Sequence, residues 1–369
     1  MGLTGLEKMS EIDDMLALYE RLEEGVNCAL ATVIETEGPS YRSAGAQSLV
    51  TDDGLFRGGL SAGCLEGDVA CRLDGASSSF IVQYDLSAAD EIRGFPFGCG
   101  GTVKVLVEPL STGSGAIDSL RWLVANRQQA ALITVLPGND INHPRMTAGA
   151  RFGITQSGCS FNFDGLSSAE SIELSEILRR ALGQKSSAVQ EVTIANLALS
   201  VFVQYYKPVI TVTIYGDSED AQVLRHLAET VGYQVNLLSK SDVRAGKFSC
   251  DPSQFCVVMT HDLDCDTLVV NYMLTAAAPE YLGILGPKTR TEKMLTALGF
   301  NSNEVLTDTC VFAPAGLNIG AETPAEIALS IVAELQAVSR RCRPDHLRDK
   351  AGAIHDRSVT AKKGVIPLV

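Results

Sequence analysis

The chain has 369 residues, 30 basic against 44 acidic side chains and a hydrophobic content of 46%. That length allows two or three domains with real cores, and the composition excludes collagen, coiled coil and wholesale disorder. The net charge of −14 is spread along the chain, which argues against a phosphate-backbone binder, so no nucleic-acid partner is expected. No apolar run reaches the ~18 residues of a membrane span. The first residues carry Glu7, Glu11, Asp13 and Asp14, where a signal peptide would start basic. A cytoplasmic protein is the expectation. Ten cysteines include no Cys-x-x-Cys pair and five histidines are scattered, so zinc, iron–sulfur and thioredoxin signatures are missing. Most of the thiols are expected as small reduced core residues.

Along the chain the first feature is a duplication. Ala29–Val33 (ALATV) returns as Ala131–Val135 (ALITV), AGAQSLVTDDGLF (44–56) as AGARFGITQSGCS (148–160), and TVKVLVEPL (102–110) more loosely as ALSVFVQYY (198–206). Three matches in one order imply two copies of an α+β unit, near 27–110 and 130–206, bridged by a helix around Gly115–Arg127.

Only the first copy carries GGLSAGCLEGDVA (58–70) and GFPFGCGG (94–101); the places compared with them in the second are DGLSSAESIELSE (164–176) and GQKSSAVQ (183–190). Scaffold demands fall on both copies alike, so glycine and cysteine in one alone point to function. Gly58, Gly59 and Gly63 would let backbone amides approach a ligand. Cys64 and Glu66 would sit in the first turn of a helix, where the dipole favours a thiolate and a carboxylate. Gly98, Cys99, Gly100 and Gly101 form a second glycine turn before the strand Val103–Val107. Upstream, Ser40, Tyr41 and Arg42 stand beside a Pro turn, and a guanidinium suits phosphate or carboxylate. Cys71 reads as a buried helix-face residue, and Cys28, Cys256 and Cys310 as core.

From Pro208 the pattern changes to alternating strand and helix: Val209–Tyr215, a helix from Ala221 to Val231, Val235–Leu238, Val257–Met259, the helix Leu268–Leu274, then Tyr281–Leu285. This is a doubly wound parallel sheet. Its first turn, Gly216-Asp217-Ser218-Glu219-Asp220-Ala221, keeps one fingerprint glycine and places three carboxylates where a pyrophosphate would lie. NAD(P) is therefore expected to bind weakly or not at all. In HDLDCD (261–266) Asp264 is expected to cap the next helix, in preference to a metal site. Thr323-Pro324-Ala325-Glu326 is a capping box opening a last amphipathic helix that includes Ser330 and Glu334.

Taken together, ATVIETEGPSYRSAGAQSLVTDDG, GGLSAGCLE and the GCGG turn resemble the xanthine dehydrogenase accessory proteins, the XdhC/CoxI family. The second half is similar to that family in VVMTHDLDCD, YLGILGPKTR and GLNIGAETPAEIALSIVAE (316–334). The resemblance implies a protein that binds molybdenum cofactor (molybdopterin) transiently, protects it during sulfuration and delivers it to a xanthine dehydrogenase-type molybdenum hydroxylase. It implies an apo-enzyme partner and a role for a cysteine desulfurase. A homo-oligomer is also expected. Carried over by position, it implicates Gly63, Cys64 and Glu66, and Cys99 with its glycines; Cys64 becomes a candidate molybdenum contact. Gln47 stands where a basic residue is common in the family, and Asn318 where Asp is common.

The expected fold class is α/β: an N-terminal duplicated α+β domain (1–207), a Rossmann-like domain with a C-terminal helix (208–343) and a loosely ordered tail (344–369). The cofactor-binding set is Ser40, Tyr41, Arg42, Gly58, Gly59, Gly63, Cys64, Glu66, Gly98, Cys99, Gly100, Gly101 and Gly216, with no catalytic residue. A chaperone without turnover is the first functional reading. An NAD(P)-dependent oxidoreductase using the Rossmann half is the second, and a relative that kept the fold and lost the ligand is the third.

Overall fold

The computed structural model describes residues 11–350 apart from 24–25, 39, 62, 87–88, 91–94, 97–100, 111–113, 140–142, 208, 249–254, 278 and 309. Gly98, Cys99, Gly100 and the tail beyond 350 therefore lie outside the described residues. The described part forms two compact units divided at 208/209. No helix among the described residues is long and apolar enough to cross a membrane.

The first unit opens with α1 (Glu11–Tyr19) and then runs β1 (Cys28–Glu37), β2 (Gln47–Thr51), β3 (Phe56–Gly58), α2 (Cys64–Arg72), β4 (Phe80–Asp85), β5 (Ala89–Asp90), β6 (Phe95–Pro96) and β7 (Thr102–Pro109). After α3 (Gly115–Asn126) come β8 (Ala130–Val135), β9 (Arg151–Thr155), β10 (Ser160–Phe161), α4 (Ser168–Gln184), β11 (Ala188–Ile194) and β12 (Leu197–Tyr206). The antiparallel sheets have orders β3-β2-β1-β7-β4 and β10-β9-β8-β12-β11, which are one topology twice.

Register makes the equivalence residue by residue. Thr32 pairs with Gln47 as Thr134 pairs with Arg151. Leu30 pairs with Glu108 as Leu132 pairs with Gln204. The turn Ser43–Ala46 and the turn Thr147–Ala150 carry the same hydrogen bonds, Ala46 N to Ser43 O and Ala150 N to Thr147 O. Each sheet buries one face under its own helix: Leu65 and Val69 of α2 pack on Ala29, Ala31, Val105 and Val107, and Leu174 and Leu178 of α4 pack on Ala131, Ile133, Val201 and Val203. Each buried Leu, Val or Ile among them contributes about 1.5–3 kcal/mol. Ile34 and Leu106 of one copy cluster with their equivalents Leu136 and Phe202 of the other, so the sheets also pack on each other.

Two expectations about the fold of the first unit need correction. GFPFGCGG was compared with 183–190, but that stretch joins α4 to β11. The connection matching 86–101 is the two-residue turn Ala195-Asn196, both with positive φ, which closes the hairpin Ile194–Leu197. Cys71 is exposed rather than buried, because the phase of α2 turns Leu65, Glu66, Val69, Ala70 and Leu73 inward and Cys71 outward. Cys28 and Cys256 are buried, and burial pushes the Cys28 thiol up to about 11.

The second unit runs β13 (Thr211–Tyr215), α5 (Glu219–Thr230), β14 (Gln234–Leu238), α6 (Lys240–Arg244), β15 (Phe255–Val258), α7 (Leu263–Tyr272), β16 (Tyr281–Ile284), α8 (Lys288–Ala297), α9 (Ser302–Leu306), β17 (Val311–Phe312) and α10 (Pro324–Arg340). Its sheet is parallel throughout, in the order β14-β13-β15-β16-β17, so the strand order reverses between β13 and β15. Thr323 caps α10, with Glu326 accepting from Thr323 N at 2.8 Å, as the capping box predicts. Asp262, not Asp264, caps α7: its carboxylate accepts from Asp264 N at 3.1 Å and Cys265 N at 3.0 Å. Residues 344–350 are described and almost wholly exposed, with one short turn at Leu347–Asp349.

Candidate functional site

The first-copy loop is organised from Glu66, the third residue of α2 and only 1% exposed. Its Oε1 accepts from Leu60 N at 2.7 Å and Ser61 N at 3.0 Å, and its Oε2 from Ser61 Oγ at 3.0 Å and Gly63 N at 3.2 Å. The amides expected to face a ligand thus face this carboxylate, which bends the loop over the start of the helix. Ser61 Oγ also accepts from Leu65 N at 3.1 Å, which supplies the cap that Gly63 lacks.

The three loop glycines have different reasons. At Gly58 (φ 82) an added Cβ would lie 2.4 Å from Gln47 O, so packing and backbone both exclude a side chain. Gly63 (φ 105) turns the chain into α2, and nothing lies within 4 Å of its Cβ position. Gly59 has no left-handed backbone, and a Cβ there would make ordinary contacts with Ser61 O at 3.8 Å, Glu66 Oε1 at 3.9 Å and Arg42 Nη1 at 4.0 Å, so a methyl group would fit. The Arg42 guanidinium and the Glu66 carboxylate thus both border this position. Arg42 reaches it from the loop after β1, where Ser40 Oγ donates to Arg42 O at 3.1 Å, while Tyr41 is 62% exposed. Its two terminal nitrogens grip Glu11 of α1 at 2.9 and 2.8 Å, which together with the nearby negative charge raises the guanidinium above its ordinary value.

Cys64 is the first residue of α2 and half-buried. Gly101 is buried at the start of β7 and accepts from Leu86 N at 2.7 Å. Arg42, Gly59 and Glu66 are thereby brought together, with Gly63 and Cys64 continuing the same loop. Gly216 belongs to the second unit. There a Cβ would meet Met259 O at 2.4 Å, so this glycine serves the close approach of the β13 turn to the end of β15.

At the reversal point of the parallel sheet, Asp220 Oδ2 meets His261 Nε2 at 2.7 Å, linking the turns that follow β13 and β15. Burial opposes its charge, but bonds from Ser218 and His261 hold the Asp220 carboxyl below its ordinary value. Asp217 and Glu219 are exposed beside it. Asp266 is fully buried: its Oδ1 accepts from Thr260 Oγ1 at 2.6 Å, and its Oδ2 forms an ion pair with Arg290 at 2.6 Å. Among the described residues no three His, Cys, Asp or Glu side chains are grouped to hold a metal.

Sequence reading missed Glu11 and Ser61 as members of this site. Ser61 could have been found as a hydroxyl just ahead of a helix that opens with a glycine. Glu11 has no local signal, because its partner lies 31 residues away.

Comparison with known proteins agrees with this architecture. Residues 21–84 match the model of the XdhC and CoxI family, and residues 212–335 match that of the XdhC Rossmann domain. A Bacillus subtilis (strain 168) protein named as a probable xanthine dehydrogenase subunit is 26% identical over 350 residues, covering 88% of this chain and 96% of its own. The Escherichia coli (strain K12) molybdenum cofactor insertion chaperone PaoD is 24% identical over 337 residues, 86% of each. A crystal structure of a Bacillus halodurans protein described as a xanthine dehydrogenase superposes with a TM-score of 0.68 at 26% identity, covering 91% of this chain and 97% of that one. A duplicated antiparallel half followed by a parallel Rossmann-like half, matched in both parts, places the chain in the XdhC/CoxI accessory family.

Proposed function

We propose that this protein binds molybdenum cofactor transiently at the loops of its first repeat and delivers it to an apo molybdenum hydroxylase of the xanthine dehydrogenase type, with no turnover of its own. The observation that carries the reading is the Arg42 guanidinium, whose Nη1 lies 4.0 Å from the Cβ position of Gly59 in the loop that leads into Cys64. The cargo is an anionic pterin bearing a phosphate and a soft metal–dithiolene centre. A guanidinium fork suits the first and a thiol sulfur the second. The E. coli relative named as an insertion chaperone and the B. subtilis relative named for xanthine dehydrogenase support the same direction.

The oxidoreductase reading has less support. The turn that would cradle a pyrophosphate presents Asp217, Glu219 and an Asp220 engaged by His261, and Gly216 is used by Met259. The test is cofactor retention: the full chain is incubated with molybdenum cofactor, desalted, assayed for molybdenum and pterin, and then offered to an apo hydroxylase. Retention followed by activation is expected, with no low-micromolar NADH binding by calorimetry. Absence of retention would overturn the reading, and tight NADH binding alongside it would favour the oxidoreductase.

A further inference from the structure

Arg42 in the free protein already holds an anion, and that anion is part of the chain. The Glu11 carboxylate meets Nη1 and Nη2 side-on at 2.9 and 2.8 Å, the two-point grip with which arginine also takes a phosphate. We infer that Glu11 is a built-in competitor: it occupies the Arg42 fork until a doubly charged phosphate monoester displaces it, and it thereby raises the affinity an anion needs at the site proposed above, on which this inference rests.

Four observations lead there. First, the tie is exchangeable, since the Arg42 and Glu11 side chains are 33% and 56% exposed and exposed pairs are weak. Second, the neighbouring Glu66 cannot take over the fork, because both of its oxygens are engaged by Leu60, Ser61 and Gly63. Third, Gly59 has a backbone that does not need glycine, and its missing side chain leaves methyl-sized room 4.0 Å from Arg42 Nη1. Fourth, the second copy has no such device. The position equivalent to Arg42 is Met146, 1% exposed and packed into that copy's core. Exchange keeps the guanidinium paired throughout and releases the Glu11 carboxylate to water at the first turn of α1, where the helix dipole favours its charge. A neutral ligand gains nothing from the fork and cannot open it.

The test measures inorganic phosphate binding to the full chain by calorimetry near neutral pH. It compares the parent, Glu11→Gln, Arg42→Gln and the control Glu20→Gln, each checked for folding by circular dichroism. Glu20 carries the same charge just beyond α1 but faces Arg121 at 3.8 Å instead of Arg42. Glu11→Gln should bind phosphate about 2- to 5-fold more tightly than the parent, an exposed ion pair's worth of competition removed. Glu20→Gln should match the parent, and Arg42→Gln should bind none. Equal affinity of Glu11→Gln and parent, equal tightening by both glutamate variants, phosphate binding by Arg42→Gln, or no binding by any protein would each overturn the inference. The proposed function can fail separately. Competition without molybdenum cofactor retention removes the chaperone reading and leaves Glu11 its role; retention without any Glu11 effect does the reverse.

Discussion

Glu66 and Glu170 stand at the third position of equivalent helices, α2 and α4, and both reach back to the preceding loop. In the second copy the arrangement is closed. Ser167 caps α4 with its own hydroxyl, Glu170 accepts from Ser167 N at 2.6 Å and meets His143 at 3.0 Å, and Met146, Phe163 and Leu166 join that copy's apolar core. In the first copy Gly63 replaces the serine cap, Arg42 replaces Met146, and Gly59 leaves its side-chain position empty. The scaffold is the same, so the difference is a direct measure of what the first copy has given up in packing to present a polar, glycine-lined loop. Residues 86–101 add to the asymmetry, since the second copy spans the same gap with Ala195-Asn196 alone.

The sharpest way to break this comparison lies where the copies meet. Arg151 and Glu108 form a buried two-point ion pair, their side chains 4% and 5% exposed. The equivalent positions, Gln47 and Gln204, are neutral: Gln204 donates to Gly45 O at 2.8 Å, while Gln47 donates to Thr32 Oγ1 and accepts from Tyr206 OH, both at 3.2 Å. Arg151→Met should therefore cost about 3–5 kcal/mol by stranding a buried carboxylate. The double change Arg151→Gln with Glu108→Gln, which writes the neutral pattern onto both sides, should cost less than half of that. Urea unfolding followed by Trp122, the single tryptophan and a residue of this unit, reads both. A double variant as unstable as the single one would mean that the two sides are not equivalent in energy as they are in register.

A smaller effect separates two adjacent glycines. Gly58→Ala should lose about 2–3 kcal/mol, through its positive φ and the Gln47 carbonyl. Gly59→Ala should leave stability within about 1 kcal/mol while setting a methyl group against Arg42, and so should lower cofactor retention. The same unfolding assay with the retention measurement checks the pair. Destabilisation by Gly59→Ala to the level of Gly58→Ala would make both glycines structural.

Much of this was legible in the residues, because the signals were local. The repeated ALATV/ALITV and AGAQ/AGAR segments mark equivalent strands and turns, and Thr323-Pro324-Ala325-Glu326 writes out its own helix start. What escaped depends on contacts that no short window contains. Arg42 meets Glu11 across 31 residues, Gly216 is needed by the Met259 carbonyl, and Asp220 meets His261 across 41. The placement of Cys71 was a matter of helical phase, which Leu65, Val69 and Leu73 decide by turning inward. The counterpart of 94–101 is set by strand order and not by composition, and it is only two residues long.

The central claim is that the first-copy loop into α2, and not any exposed thiol, holds the cofactor. Cys64 begins α2 half-buried in that loop, whereas Cys71 lies two turns further on, exposed and outside it. Molybdenum and pterin content after incubation and desalting, compared among the parent, Cys64→Ser and Cys71→Ser, tests the claim most directly. Serine suits a helix start, so Cys64→Ser should unfold like the parent yet lose most of its retention, while Cys71→Ser should match the parent in both. Equal retention by Cys64→Ser and the parent would contradict the account.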